Sequence, residues 1–240
     1  MNLRAWLRHS ETAVGLVHDV RKLGRVLARG RSTKTIETYV ATHRVRKLQL
    51  GAGPTALDGW LSTDLFPASP GGVYLDAVKS FPIPDQTFDY VCCEHMIEHI
   101  SRAQGLALLR ECRRILKPDG IVRIATPDLE VLVGLYHARE NALAKRYIAW
   151  ITDRHLEGVH VYRASFVINN AFRNWGHQFL YDGELLEMVM RDAGFVDLKR
   201  HSPGESDDEY LRGIESHGEN VGDDEMNRFE TMVYEGKCPS

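Results

Sequence analysis

The sequence predicts an α/β protein, a doubly wound seven-stranded sheet that is mostly parallel, has an antiparallel last strand and carries helices on both faces. Three observations lead there. From residue 45 onward short apolar runs alternate with helical stretches, the texture of strands joined by crossovers. The first run passes straight into Gly51-Ala52-Gly53, the kind of strand-to-helix turn at which such sheets bind ligands. The last two runs, 195–200 and 229–234, have no helical pattern between them, which suggests an antiparallel pair at a sheet edge.

At 240 residues and 43% hydrophobic, the chain is long enough to bury a core in one domain. Residues 3–28 set Leu3, Trp6, Leu7, Val14, Val17 and Leu23 at helical spacing among arginines, a basic amphipathic helix. This reads as an extension over 1–40 that packs on its own domain or on a second copy, with contact to a membrane surface or to substrate phosphates as the alternatives. The domain proper then runs over 41–240. Its strands are expected at 45–50, 60–65, 73–75, 88–93 and 121–125, with a helix over 101–116 whose apolar face holds Leu106, Leu109, Cys112 and Ile115. Lys117-Pro118-Asp119-Gly120 stops that helix, and a further helix over 182–193 is closed by Gly194.

Composition narrows the function. Net charge is only -3, so the chain as a whole does not invite nucleic acid; no DNA partner is expected. The charge is unevenly spread: the first 47 residues are strongly cationic, whereas 205–225 is acidic and reads as a loop. The four cysteines form no CxxC pair and read as reduced, buried thiols. No apolar run approaches the ~20 residues that cross a bilayer, and no signal-peptide pattern opens the chain, so a cytoplasmic protein is expected.

The chemistry-bearing residues fall at strand ends. Glycines at 51 and 53 let backbone approach a ligand where a Cβ would collide. Asp64 ends the second predicted strand, where an acid accepts hydrogen bonds from ribose hydroxyls; Asp76 follows the third, and Glu94-His95-Met96-Ile97-Glu98-His99 follows the fourth. The loop carries no Gly-Lys-Ser/Thr element, which disfavours a nucleoside triphosphatase. A dinucleotide site would prefer a full GxGxxG, and Gly51-Ala52-Gly53-Pro54-Thr55-Ala56 lacks the last glycine.

Together KLQLGAGPTALDGWLSTDLFP, FPIPDQTFDYVCCEHMIEHI and LLRECRRILKPDGIVRIATPDL resemble the class I S-adenosylmethionine-dependent methyltransferases, over residues 45–128 and in the right order. Within that superfamily the chain most resembles a type 11-like bacterial group, often associated with surface polysaccharides, whose glycine loop is followed by GW-x-x-x-D. The resemblance implies a Rossmann-like fold and S-adenosylmethionine as cofactor. It implies that Gly51, Ala52 and Gly53 line the methionine part, Asp64 with Leu65 holds the ribose, Asp76 with Ala77 lies near the adenine, and Glu94 with His95 closes the site. Two positions depart from the pattern: Gln49 stands where an acid is usual, able to hydrogen-bond the cofactor's amino group without charge, and Thr55 replaces a third glycine.

Methyl transfer to oxygen needs alignment and gains from a base, for which histidine is suited near neutral pH. Candidates are His95, His99, His155, His160 and His177, with His177 in Asn174-Trp175-Gly176-His177-Gln178 the first choice and His95 the second. His95 and His99 are four apart with Glu98 adjacent, but this is not the zinc-protease pattern and the resemblance requires no metal, so none is expected. Residues 147–181 are rich in aromatic, amide and imidazole side chains and read as an insertion forming an acceptor lid. No Asn-Pro-Pro-Tyr or Asp-Pro-Pro-Tyr follows the fourth strand, so an oxygen acceptor on a small molecule or carbohydrate is favoured. Two rival functions remain: a non-catalytic methyltransferase-like interaction protein, and an RNA methyltransferase gripping phosphates with its cationic end.

Overall fold

The computed structural model describes residues 30, 32–69, 71–138 and 140–240. The amphipathic stretch 3–28, with its expected membrane or dimer contacts, lies outside them. Helix α1, residues 32–42, belongs to the domain core: Ile36 and Tyr39 are buried, and the Tyr39 hydroxyl bonds Lys47 and Gly59 backbone. The boundary expected at residue 40 therefore falls inside a helix that packs on the sheet.

Seven strands follow: β1 (Lys47–Leu50), β2 (Leu61–Asp64), β3 (Val73–Tyr74), β4 (Phe88–Glu94), β5 (Leu116–Pro127), β6 (Val196–His201) and β7 (Thr231–Lys237). They form one sheet in the order β3-β2-β1-β4-β5-β7-β6. The first five pair in parallel, and β7 runs antiparallel to both β5 and β6. The expected late pair exists, but β7 threads inward and leaves β6 at the edge. Burial explains the placing: β7 is buried from Thr231 to Gly236, whereas β6 is largely exposed.

Helix α2 (Arg102–Ile115) begins at a capping box, with Ser101 and Gln104 exchanging side-chain and backbone bonds. It buries Leu108, Leu109, Cys112 and Ile115, so Leu108 takes the central place expected of Leu106. β5 starts five residues earlier than expected, at Leu116, because Lys117-Pro118-Asp119-Gly120 is held by reciprocal backbone bonds to Cys238.

After β5, α3 (Leu129–Gly134), α4 (Ala142–His155) and α5 (Ala164–Arg173) build a second apolar cluster of Leu132, Tyr147, Ile151, Val167 and Ala171. The sequence's aromatic insertion is thus a helical cap beside the carboxyl end of β5. Helix α6 (Gly183–Asp192), capped by Asp182, returns the chain to β6. The acidic stretch is not a plain loop: it carries α7 (His217–Val221) and α8 (Asp224–Glu230). Its acids favour this outcome, since Asp223 caps α8 and Asp224 and Glu225 lie in the first turn, where the helix dipole prefers negative charge. Among the described residues no helix is long and apolar enough to cross a membrane.

Candidate active site

The glycine turn forms as expected. Gly51 and Gly53 have φ of +66° and +54°, and a Cβ on Gly51 would sit 2.6 Å from Met96 Cγ, while the space beside Gly53 is open. Asp64 closes the turn from β2: its carboxylate accepts from Gly53 N at 3.0 Å and from Phe66 N at 2.7 Å. Ala52 is buried behind it and Leu65 is exposed beside it. Asp76 caps its own turn and pairs with Lys79, and Ala77 packs on the core.

Gln49 behaves differently from the expectation of a cofactor contact. It is buried, its Nε2 donates to Thr55 O, and its Oε1 accepts from Leu57 N and Ser62 Oγ. An uncharged amide is what this position requires, because one side chain must donate and accept at once to brace the loop.

Glu94 is engaged by a segment that the sequence reading left as loop. Its carboxylate accepts from the backbone of Ser216 and His217 and from the Ser216 hydroxyl, and Asn220 bonds Thr55. Helix α7 therefore spans from the end of β4 to the glycine turn. Its position is anchored by Glu215, which pairs with buried Arg123 of β5 at 2.5 Å.

Beyond α7 lies a cavity of about 230 Å³ whose lining includes five histidines, His95, His99, His155, His177 and His217, with Glu98, Glu230, Trp150 and Trp175. The glycine turn is not part of this lining; α7 reaches both, lining the cavity with His217 and Val221 and bonding Thr55 of the turn through Asn220. Glu98 and His99 come from the 3-10 turn after β4 (Ile97–His99), and His177 from the irregular stretch after α5. Backbone bonds from Gln178 and Phe179 to Glu98 O, with Gln178 Nε2 on His99 O, stitch these two segments together.

Each imidazole has its own environment. His95 has φ of +44°, stacks on His217 at 3.9 Å, touches Thr231 Oγ1 through Nε2 and lies 3.3 Å from Glu98 Oε1 through Nδ1. Burial opposes its charge, but Glu98 and the neighbouring carboxylates outweigh that and raise its pKa. His177 Nδ1 faces the Ala171 carbonyl at 2.8 Å, so Nδ1 carries the proton and Nε2 holds the lone pair. Burial lowers the His177 pKa, against a raising pull from Glu98, and keeps the ring neutral. Burial, reinforced by the charge of His95, pushes His217 down to about 3.

Of the sequence candidates, the structure gathers His95, His99, His155 and His177 into one cavity, while His160 is exposed and outside its lining. Sequence reasoning missed His217 and Glu230. The available signal was their chemistry, a histidine beside Glu215 and Glu219 and an acid directly before an apolar strand.

Residues 67–124, from before β3 into β5, match a family model described as a methyltransferase domain, less than half of the chain. No curated protein matches. Similar solved structures include an S-adenosylmethionine-dependent methyltransferase from Archaeoglobus fulgidus, 18% identical with a TM-score of 0.48 over 89% of this chain and 94% of that one. Another, from Mesorhizobium loti, is 14% identical with a TM-score of 0.46 over 84% and 96%. Haemonchus contortus phosphoethanolamine N-methyltransferase 2, in complex with S-adenosyl-L-methionine, is 15% identical with a TM-score of 0.43 over 82% and 49%. The likeness to a methyltransferase domain covers residues 67–124, and the strand order with β7 antiparallel between β5 and β6 is a Rossmann-like arrangement, for which the sequence resemblance implies S-adenosylmethionine as cofactor. The turn fits that cofactor: backbone is open at Gly53, a carboxylate stands at the end of β2, and no cationic side chain lies between Gln49 and Leu57, as suits an adenosine without phosphates.

Proposed function

We propose that the chain methylates a hydroxyl group of a small acceptor, a saccharide unit or a comparably hydroxylated metabolite, seated in the histidine cavity. The observation that carries this reading is the tautomer of His177: a neutral imidazole, fixed through Nδ1 to Ala171 O, leaves Nε2 free to take a hydroxyl proton. Trp150 and Trp175 suit the apolar face of a sugar ring, and the enclosed cavity suits a small acceptor better than a polymer.

Gly51, Ala52 and Gly53 would hold the methionine part of the cofactor, Asp64 with Leu65 the ribose, and Asp76 with Ala77 the adenine side. When bound, S-adenosylmethionine supplies a sulfonium methyl group: the acceptor oxygen forms the new carbon–oxygen bond and the electron pair of the broken carbon–sulfur bond passes to sulfur. The protein's part is to align the acceptor, exclude water beneath α7 and the helical cap, and receive the hydroxyl proton. Glu94 and Gln49 serve as braces for α7 and the glycine turn, and His95 positions Glu98. The sequence's resemblance to a bacterial group often associated with surface polysaccharides favours a saccharide acceptor.

Calorimetric titration with S-adenosylmethionine, S-adenosylhomocysteine and NAD tests the cofactor half, with binding of the first two alone expected. A screen of sugars and hydroxylated metabolites then tests the acceptor half. His177→Ala is expected to leave cofactor affinity unchanged and to lower turnover by about 100-fold or more; equal turnover would remove His177 from the reaction.

A further inference from the structure

The cavity holds three donors grouped as metal ligands are. One ligand atom each from Glu98, His99 and His177 lies within 4.8 Å of the others. The sequence pair His95 and His99 is not this group, since His95 is turned to Thr231 and stacked on His217. A cluster alone would mean little, but Glu98 adds a second observation. It is fully buried at the cavity wall; its Oε1 makes no hydrogen bond among the described residues and meets the His95 ring as an ion-pair contact at 3.3 Å. One imidazole at that distance leaves lone-pair capacity on the buried oxygen for a second cation.

The geometry points to a divalent cation site at Glu98, His99 and His177, opening into the acceptor cavity. The neighbours orient the donors as outer-shell partners of a metal do. Ala171 O fixes His177 so that Nε2 is the ligand atom, and Thr126 Oγ1 donates to Glu98 Oε2 at 3.0 Å, fixing the carboxylate. His99 makes no side-chain hydrogen bond among the described residues and meets His177 edge-on at 4.9 Å. Two imidazoles and one carboxylate favour zinc or another first-row ion over magnesium or calcium, which prefer oxygen throughout. Three protein donors leave open positions, the arrangement of a catalytic rather than a structural site.

The ion's role in turnover rests on the hydroxyl-acceptor reading above; its binding does not. A hydroxyl oxygen placed on the ion is acidified, as bound water is acidified from a pKa of about 16 to about 7. The proton passes to water, and the lone pair so freed forms the bond to the methyl carbon while the carbon–sulfur pair returns to sulfur. With the ion in place His177 Nε2 is a ligand and the proton leaves to solvent, so the base role given to His177 above belongs to the ion-free protein alone.

The test uses full-length protein without a polyhistidine tag, stripped by chelation and titrated with cobalt(II) and then zinc(II) in the absence of cofactor. We expect one cobalt per chain with visible d–d absorption, displaced by zinc, and affinity lowered in His99→Ala, His177→Ala and Glu98→Gln by more than the ~10- to 100-fold that loss of an outer-shell partner costs. His155→Ala, altering a cavity histidine outside the triad, is expected to keep full affinity. Glu98 is buried, so its variant counts only if its melting curve matches wild type; the two histidine variants carry the test otherwise. Failure to bind either ion stoichiometrically, or binding unchanged in both histidine variants, overturns the site. Methylation of a hydroxyl by the stripped enzyme at full rate overturns the ion's catalytic role while leaving the hydroxyl reading intact. Stoichiometric binding with no hydroxyl acceptor found supports the site and counts against that reading alone.

Discussion

Arg123→Met is expected to destabilise the protein by about 3–5 kcal/mol, the cost of breaking a buried ion pair from one side. Arg123 is completely buried in the middle of β5, where Nε meets Glu215 and Nη1 meets Glu235, each at 2.5 Å. Burial alone would lower its pKa, but the two carboxylates raise it, so it stays charged. Methionine fills much of the same volume and removes the charge. Glu215 and Glu235 are then left in a poorly hydrated site, with the His201 ring 3.2 Å from Glu235. With a urea slope near 3 kcal/mol per M, the unfolding midpoint falls by about 1–1.7 M. Restoring neutrality with Glu215→Gln and Glu235→Gln in the same chain recovers part of the loss, because the penalty lies in the stranded charges. Urea melts followed by tryptophan fluorescence measure both. Because Glu215 leads into Ser216 and His217, whose amides hold Glu94, Arg123→Met also weakens cofactor binding. A single-variant loss under about 1 kcal/mol would refute the reasoning, showing that water reaches the pair and that α7 is not anchored through it.

The sheet was legible because its causes are local. Apolar runs, the Gly51 turn and the helical period of 101–116 act within a few residues, and each gives an element close to where the sequence suggests. What escaped depends on contacts between segments far apart in the chain. β7 goes inside β6 because of which strand can be buried on both sides, which neither strand states by itself. The role of Gln49 is visible only once Thr55, Leu57 and Ser62 surround it. The histidine cavity shows the same limit: His95, His99 and His177 could be singled out as imidazoles, but Glu98 became informative only with Thr126 on one oxygen and the His95 ring facing the other. His217 was hidden by an acidic context that reads as solvated chain, yet those acids cap α8 and grip Arg123.

Asp64→Ala is expected to weaken S-adenosylmethionine binding by about 1–3 kcal/mol, since ribose contacts and the brace on Gly53 N are lost together, and calorimetry reads it as about 5- to 150-fold in Kd. Gly51→Ala combines a left-handed backbone with a 2.6 Å approach to Met96 Cγ, so about 2–4 kcal/mol of stability is lost in thermal melts. Adding Met96→Ala relieves the collision and leaves the backbone strain. The last expectation concerns pH. His217 is held down to about 3 by burial, against an ordinary value of 6.5, so between those limits the unfolded chain binds a proton that the folded chain refuses. Its contribution to stability is therefore complete above pH 6.5 and is lost as pH falls below it, at no more than about 1.4 kcal/mol per pH unit. His95, raised by Glu98, works in the opposite sense, so the informative quantity is the difference between wild type and His217→Asn. The variant is expected to lose less stability between pH 7 and pH 5; parallel curves would mean that His217 takes up its proton within the folded protein and that α7 opens to admit water.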